Sequence, residues 1–147
     1  MCQRYTHDTP ILAAALLHDV LEDTPVTEQQ MSDFLIPVLG EEEACETVKF
    51  VVELTNVYTW AAYPQWNRQK RKHLECERMK DISPDAQTIK YADVIDNGLE
   101  ITAQDPGFAG KYLREANELL KVIRAGNPVL YEEACSLINK LAKLKGR

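Results

Sequence analysis

Basic residues are the scarcer charge in this chain: 17 Lys and Arg stand against 23 Asp and Glu, for a net charge of −6. A nucleic-acid face needs clustered cations, so no nucleic-acid partner is expected. A metal or a charged small substrate stays compatible, because a local field can oppose the global one. Cysteine is sparse, and no two of Cys2, Cys45, Cys76 and Cys135 form a CxxC pair, which argues against a zinc ribbon or a dithiol redox motif. Cys45, Cys76 and Cys135 lie in helix-like segments and are expected to be buried free thiols. No run approaches the roughly 20 apolar residues of a membrane span, and Met1 to Asp8 carries no signal-peptide pattern. The expectation is a reduced, cytoplasmic protein without a membrane partner; a homo-oligomer stays open.

Alternation of the kind that marks strands is also missing, as are repeats, low-complexity tracts and long linkers. Apolar residues recur at spacings of three and four, and 147 residues with 45% hydrophobic content suffice for one core. Thr9-Pro10 predicts a cap and a proline at the first helical position, opening a helix to about Asp23. Its first half, with Ile11, Leu12 and three alanines before Leu16 and Leu17, is apolar nearly all round and is expected to be buried. Thr27 caps a second helix that stops at Gly40. A third spans about Glu41 to Leu54, with Ala44, Val48, Val51, Val52 and Leu54 as one stripe. An aromatic loop, Thr55 to Pro64, precedes a basic helix from about Gln65 to Lys80. Ser83-Pro84-Asp85 opens a helix to about Thr102, and Asp105-Pro106-Gly107 reads as a turn. Helices from about Phe108 to Ala125 and Pro128 to Leu144 complete an all-α fold of about seven helices, with residues 1–147 as one domain.

Two segments carry chemistry. In the first, Leu16 to Thr24, one histidine and three acids follow an apolar half-helix: His18, Asp19, Glu22 and Asp23. In continuous helix, His18 and Glu22 share a face, as do Asp19 and Asp23. Burying so many ionisable groups is expensive unless a cation or tight hydrogen bonds compensate. Imidazole with carboxylate suits Mn²⁺, Fe²⁺ or Zn²⁺ better than Ca²⁺. The dipeptide His18-Asp19 by itself reads equally as a cap or a surface ion pair. The second segment, Ala86 to Asn97, turns Ile89, Ala92, Val94 and Ile95 toward the core. It sets Asp93 and Asn97 on one face, with Lys90 three residues before Asp93. Such a group can complete a metal site and contact phosphate, or it is simply a Lys90–Asp93 pair.

Together the segments resemble the HD-domain metal-dependent phosphohydrolases, RelA/SpoT type. His18 to Thr24 matches the signature HD-x-x-EDT, and Lys90 to Asn97, K-Y-A-D-V-I-D-N, resembles the family's K-L-A-D-R-L-H-N helix. The order and spacing agree over about 90 residues. The resemblance implies an all-helical HD domain with His18, Asp19 and Asp93 as metal ligands and Mn²⁺ as the expected ion, with Fe²⁺, Zn²⁺ or Mg²⁺ as alternatives. It implies Glu22 and Asp23 as the pair that positions or deprotonates the attacking water, Asn97 and Lys90 as substrate contacts, and a phosphorylated nucleotide as substrate. A guanosine-3′,5′-bis(diphosphate) 3′-pyrophosphohydrolase activity is the leading expectation. A nucleoside monophosphate phosphatase and a degenerate binding domain are the alternatives.

Two departures qualify it. The family's first metal ligand is a histidine one or two helices before the HD pair; here only His7 lies upstream, beside Asp8, so an N-terminally short domain with an incomplete metal site is expected. The family's arginine and histidine in the second motif are Val94 and Asp96, which weakens the case for a guanosine alarmone. Between the motifs, Asn67 to His73 is basic: a solvated face, or a phosphate clamp in which Arg71 and Lys72 match the family's Arg-Lys pair. Trp60, Tyr63 and Trp66 either stack on a base or pack their loop down.

Overall fold

A computed structural model describes residues 1–146. Eight α-helices follow a short 3-10 turn at Cys2–Arg4: α1 Thr9–Leu17, α2 Val20–Asp23, α3 Glu28–Leu39, α4 Glu41–Leu54, α5 Arg68–Met79, α6 Pro84–Gln104, α7 Pro106–Val122 and α8 Pro128–Lys145. The described residues contain no strand. Polar caps set most of the helix starts by accepting orphan backbone N–H groups. Thr27 and Gln30 form a reciprocal capping box on α3. Asn67, Ser83, Asp105 and Asn127 cap α5, α6, α7 and α8.

Helix α6 is the centre of the fold and packs on α1, α4, α7 and α8. Its buried Ile89, Tyr91, Ala92, Val94 and Ile95 join Val51, Leu113, Leu120, Leu130 and Ile138 in one core. Polar groups on the same helix fix the α7–α8 connection. Tyr91 donates to the Ile123 carbonyl at 2.8 Å and accepts from the Gly126 amide at 3.2 Å. Gln87 accepts from Ala125 N at 2.8 Å, and Thr88 from Asn127 N at 2.8 Å. Three of these bonds satisfy a backbone donor and the fourth a backbone carbonyl.

Several expectations change. The helix expected to run to Asp23 breaks after Leu17, leaving His18 and Asp19 in a turn before α2. The His18 ring bonds the Ala15 carbonyl at 2.8 Å, the acceptor that the Asp19 amide would use in an unbroken helix. The cap of α1 is Asp8, one residue earlier than expected. Ile11 and Ala14 are buried, but Leu16 is 85% exposed, because α1 packs on α4 and α6 and presents its other side outward. The cysteine expectation is also corrected: Cys45 is exposed and Cys76 and Cys135 are partly buried, while Cys2 is the buried one. Cys45 sits beside the α4 stripe of Ala44, Thr47 and Val51 rather than in it. The Asp105-Pro106-Gly107 turn is itself the start of α7, and α5 begins at Arg68 because Asn67 caps it.

Gly126 tests the packing around Tyr91. A Cβ there would stand 2.7 Å from the Tyr91 ring and 2.8 Å from the Thr88 amide, so backbone must move. Gly126→Ala is expected to destabilise by about 1–3 kcal/mol in urea denaturation. Gly146→Ala, whose nearest neighbour would be 3.7 Å away, should stay within about 0.5 kcal/mol of wild type.

Candidate metal and phosphate cleft

The break between α1 and α2 turns His18 and Asp19 toward α6. On α6, Lys90, Asp93 and Asn97 are spaced three and four apart and therefore share a face. His18 Nε2 lies 3.2 Å from Asp93 Oδ1 and 3.2 Å from Asp19 Oδ2. Lys90 Nζ reaches Asp93 Oδ2 at 2.7 Å, and the Asn97 amide donates to Asp93 Oδ1 at 2.8 Å. Residues 75 apart in sequence thus meet at one carboxylate, whose side chain is 11% exposed.

Electrostatics follow from that crowding. Burial pushes the Asp93 carboxyl up, but Lys90 and His18 more than offset it and hold the group well below the usual carboxylate range. The hydrogen bond to Asp93 raises His18 to about 9 against the opposing effect of burial, with help from the Ala15 carbonyl. Burial raises the Asp19 carboxyl. The bond to Ala15 assigns a proton to Nδ1 and leaves Nε2 aimed at the two carboxylates.

These donors match a borderline divalent ion in kind: one imidazole nitrogen and carboxylate oxygens. Each carboxylate stands 3.2 Å from His18 Nε2, near the roughly 3 Å that separates adjacent ligands about 2.0–2.2 Å from one ion. Closure is lacking. Among the described residues, no group of three or more His, Cys, Asp or Glu surrounds a common point, and Lys90 already neutralises Asp93.

The group opens into a cleft of about 1070 Å³ between α5, α6 and α7, lined also by Glu22, Lys72 and Tyr112. Of the other residues singled out in the sequence, Asp23 is exposed and does not line this cleft. Arg71 does not line it either; its guanidinium donates to the Trp66 carbonyl. His7 is exposed, outside the cleft. Tyr63 stacks on Trp66 at 4.5 Å and Lys70 covers Trp66 at 4.3 Å, so the aromatic loop packs on itself, while Trp60 is 70% exposed.

Three features carried no sequence signal strong enough to isolate them. Buried Glu75 accepts from the amides of Val57 and Tyr58 at 3.1 and 3.0 Å. Arg78 joins Glu75 at 2.6 Å and bonds the Glu53 and Thr55 carbonyls, so the two anchor the loop. Arg68 grips Glu115 through two bonds of 2.8 Å, clasping α5 to α7. Tyr112 has its phenol raised by burial and then by the Asp93 charge. Only the three-residue spacing of Glu75 and Arg78 was visible beforehand; the other partners are distant in sequence.

The histidine-aspartate pair at the helix break faces an aspartate on a second helix above the cleft, the arrangement that the resemblance to HD-domain proteins leads one to expect. No family model matches the chain, and no solved structure matches it. Two curated proteins do. The guanosine-3′,5′-bis(diphosphate) 3′-pyrophosphohydrolase MESH1 of Drosophila melanogaster is 30% identical over 99 residues, which is 67% of this chain and 48% of that protein. The protein of the same name from Xenopus tropicalis is 30% identical over 128 residues, 84% of this chain and 64% of its own length. The chain is similar to these two MESH1 proteins, and it spans about half to just under two thirds of their length. Among the described residues no helix is long and apolar enough to cross a membrane.

The Arg68–Glu115 clasp has a pH signature. Burial raises Glu115, but the hydrogen bond and charge of Arg68 outweigh it and lower the group below its ordinary 4.5. A depressed carboxylate stabilises fully above its unfolded value and loses that contribution as pH falls through the folded one. Glu115→Gln is therefore expected to flatten the decline in thermal stability below about pH 4.5. Unchanged acid dependence in the variant would remove the clasp from the account of stability.

Proposed function

We propose that the chain is a metal-dependent phosphohydrolase acting on a phosphorylated nucleotide, with residues 1–147 working as one HD domain. A guanosine-3′,5′-bis(diphosphate) 3′-pyrophosphohydrolase activity is the specific reading. The observation that carries it is the meeting of His18, Asp19 and Asp93 at the edge of a cleft that Glu22 also lines. The two MESH1 relatives support the substrate class.

In this reading His18, Asp19 and Asp93 hold the ion, Mn²⁺ being the first choice and Fe²⁺, Zn²⁺ or Mg²⁺ the alternatives. Once bound, it would lower the pKa of a water and polarise the phosphoryl group. The protein's own groups do the rest. The Ala15 carbonyl orients His18 by holding Nδ1–H, which leaves Nε2 to ligate. Lys90 and Asn97 orient Asp93 and stand ready to contact phosphate oxygens. Glu22, exposed at the cleft, accepts the proton of the attacking water. Asp23, outside the cleft lining, has the weaker claim to that role. Lys72 lines the cleft and clamps phosphate more readily than Arg71, which is committed to Trp66.

One observation favours a second reading. Lys90 neutralises Asp93 at 2.7 Å, and no three donors close on a point among the described residues. That arrangement also suits a domain that binds a nucleotide without turnover.

The experiments separate the two. Metal binding by this chain is expected to be weak, because three donors remain where a complete site has more; tight stoichiometric Mn²⁺ uptake in calorimetry would overturn that expectation. At saturating Mn²⁺, phosphate or pyrophosphate release from a nucleotide panel is expected. Asp93→Ala should abolish metal binding. Glu22→Gln should keep the metal and lose about 10²–10⁴ in rate, because an amide accepts no proton. Lys72→Gln should act mainly on KM. A wild-type chain that binds a nucleotide and turns none over would establish the binding-domain reading.

A further inference from the structure

Charge is divided along the sequence. Between Tyr5 and Val48 stand ten acids and no lysine or arginine, whereas the rest of the chain holds all 17 of those cations and 13 acids. The acidic stretch contains α1, α2, α3 and the first half of α4. On α3 and α4, Glu28, Asp33, Glu41, Glu42 and Glu46 are exposed, and none pairs with a cation among the described residues. Acids in a first turn favour the helix N-terminus. That accounts for Glu28, Glu41 and Glu42, but not for Asp33 and Glu46, which lie further along their helices.

Within this acidic surface, α3 is apolar on two sides. Met31 and Leu35 are buried, and the helix packs chiefly on α4. Phe34 and Val38, four apart and therefore on one face, are 70% and 67% exposed, and Pro37 beside them is exposed too. Single exposed apolar side chains are ordinary, whereas neighbouring ones mark contact surfaces. Pro37 adds a polar feature. It has no N–H to give the Asp33 carbonyl, the acceptor four residues back in the helix. The face thus offers apolar side chains, a carbonyl without its helical donor, and negative charge at both ends. Asp33 precedes Phe34, and Glu41 and Glu42 follow Val38 by three and four residues.

We propose that this outward face of α3 is a docking surface for a cationic amphipathic helix of a partner protein. Phe34, Pro37 and Val38 would receive apolar side chains spaced three and four apart on that helix. Its lysines or arginines would meet Asp33, Glu41 and Glu42 and supply the donor that the Asp33 carbonyl lacks. Charge decides among the possible occupants: a surface of acids without cations repels nucleic acid and anionic lipid and complements a basic segment. Phe34, Pro37 and Val38 lie outside the cleft lining, and the docking surface does not rest on the hydrolase reading.

Fluorescence anisotropy on the full chain tests it, with a labelled leucine–lysine peptide whose leucines recur at three and four. A peptide of the same composition with strictly alternating leucines is the control. Wild type should bind the first peptide, more weakly as salt is added, and the control about tenfold less tightly, because its leucines form no helical stripe. Phe34→Gln with Val38→Gln should weaken binding about thirtyfold. Both residues are exposed, and circular dichroism checks that the variant keeps its helices. Glu41→Gln with Glu42→Gln should cost about fivefold and flatten the salt dependence. Glu100→Gln with Glu132→Gln, which removes two exposed acids from α6 and α8, should stay within about twofold of wild type. No binding by wild type would overturn the proposal, as would binding that ignores Phe34 and Val38 or falls equally in the two charge variants. Self-association through Phe34 and Val38 in sedimentation without peptide would overturn it in favour of a second copy of the chain.

Discussion

The carboxylate of Asp93 is the constraint around which the site is arranged. Nearly buried on α6, it would be too costly to keep ionised alone. Three partners from different directions make it tolerable: Lys90 from the preceding turn, Asn97 from the following one, and His18 from the break between α1 and α2. The break itself belongs to the arrangement, since the His18 ring occupies the Ala15 carbonyl and turns its other nitrogen toward Asp93. Helix α6 must hold its position for any of this to occur. Buried apolar groups along one side and the Tyr91, Gln87 and Thr88 bonds to the α7–α8 connection anchor it there.

Charge compensation at Asp93 can be met in two ways. A proton on His18 together with Lys90 satisfies it; the proposed hydrolase would instead need a divalent ion there, with the donors drawn closer together than they stand among the described residues. The first leaves a quiet ion-pair network suited to binding; the second would supply the electrophile of a phosphohydrolase. Competition between cations for one carboxylate is the physical link between the two readings of function.

The rest of the cleft depends on contacts across α5. Glu75 and Arg78 tie the aromatic loop to that helix, and Arg68 ties the helix to α7. The loop's rings are spent largely on one another and on Lys70.

Local chemistry made the all-helical class, most helix boundaries and the two motifs legible from sequence. Cap residues, prolines at helix starts and three-four apolar spacing act within a few residues, and so does the Lys90–Asp93–Asn97 face. The break at His18 was not legible, because a strongly apolar helix former precedes it and the competing bond comes from a side chain. The exposure of Leu16 and Cys45 was hidden for a related reason: periodicity says that a face is apolar, but only the neighbours decide which face is covered. Sequence likewise named Arg71 and Lys72 together, and the tertiary structure parted them by giving Arg71 the Trp66 carbonyl. The meeting of His18 with Asp93 and the Arg68–Glu115 clasp both join residues far apart in the chain. Such contacts arise only when packed helices bring those charges together.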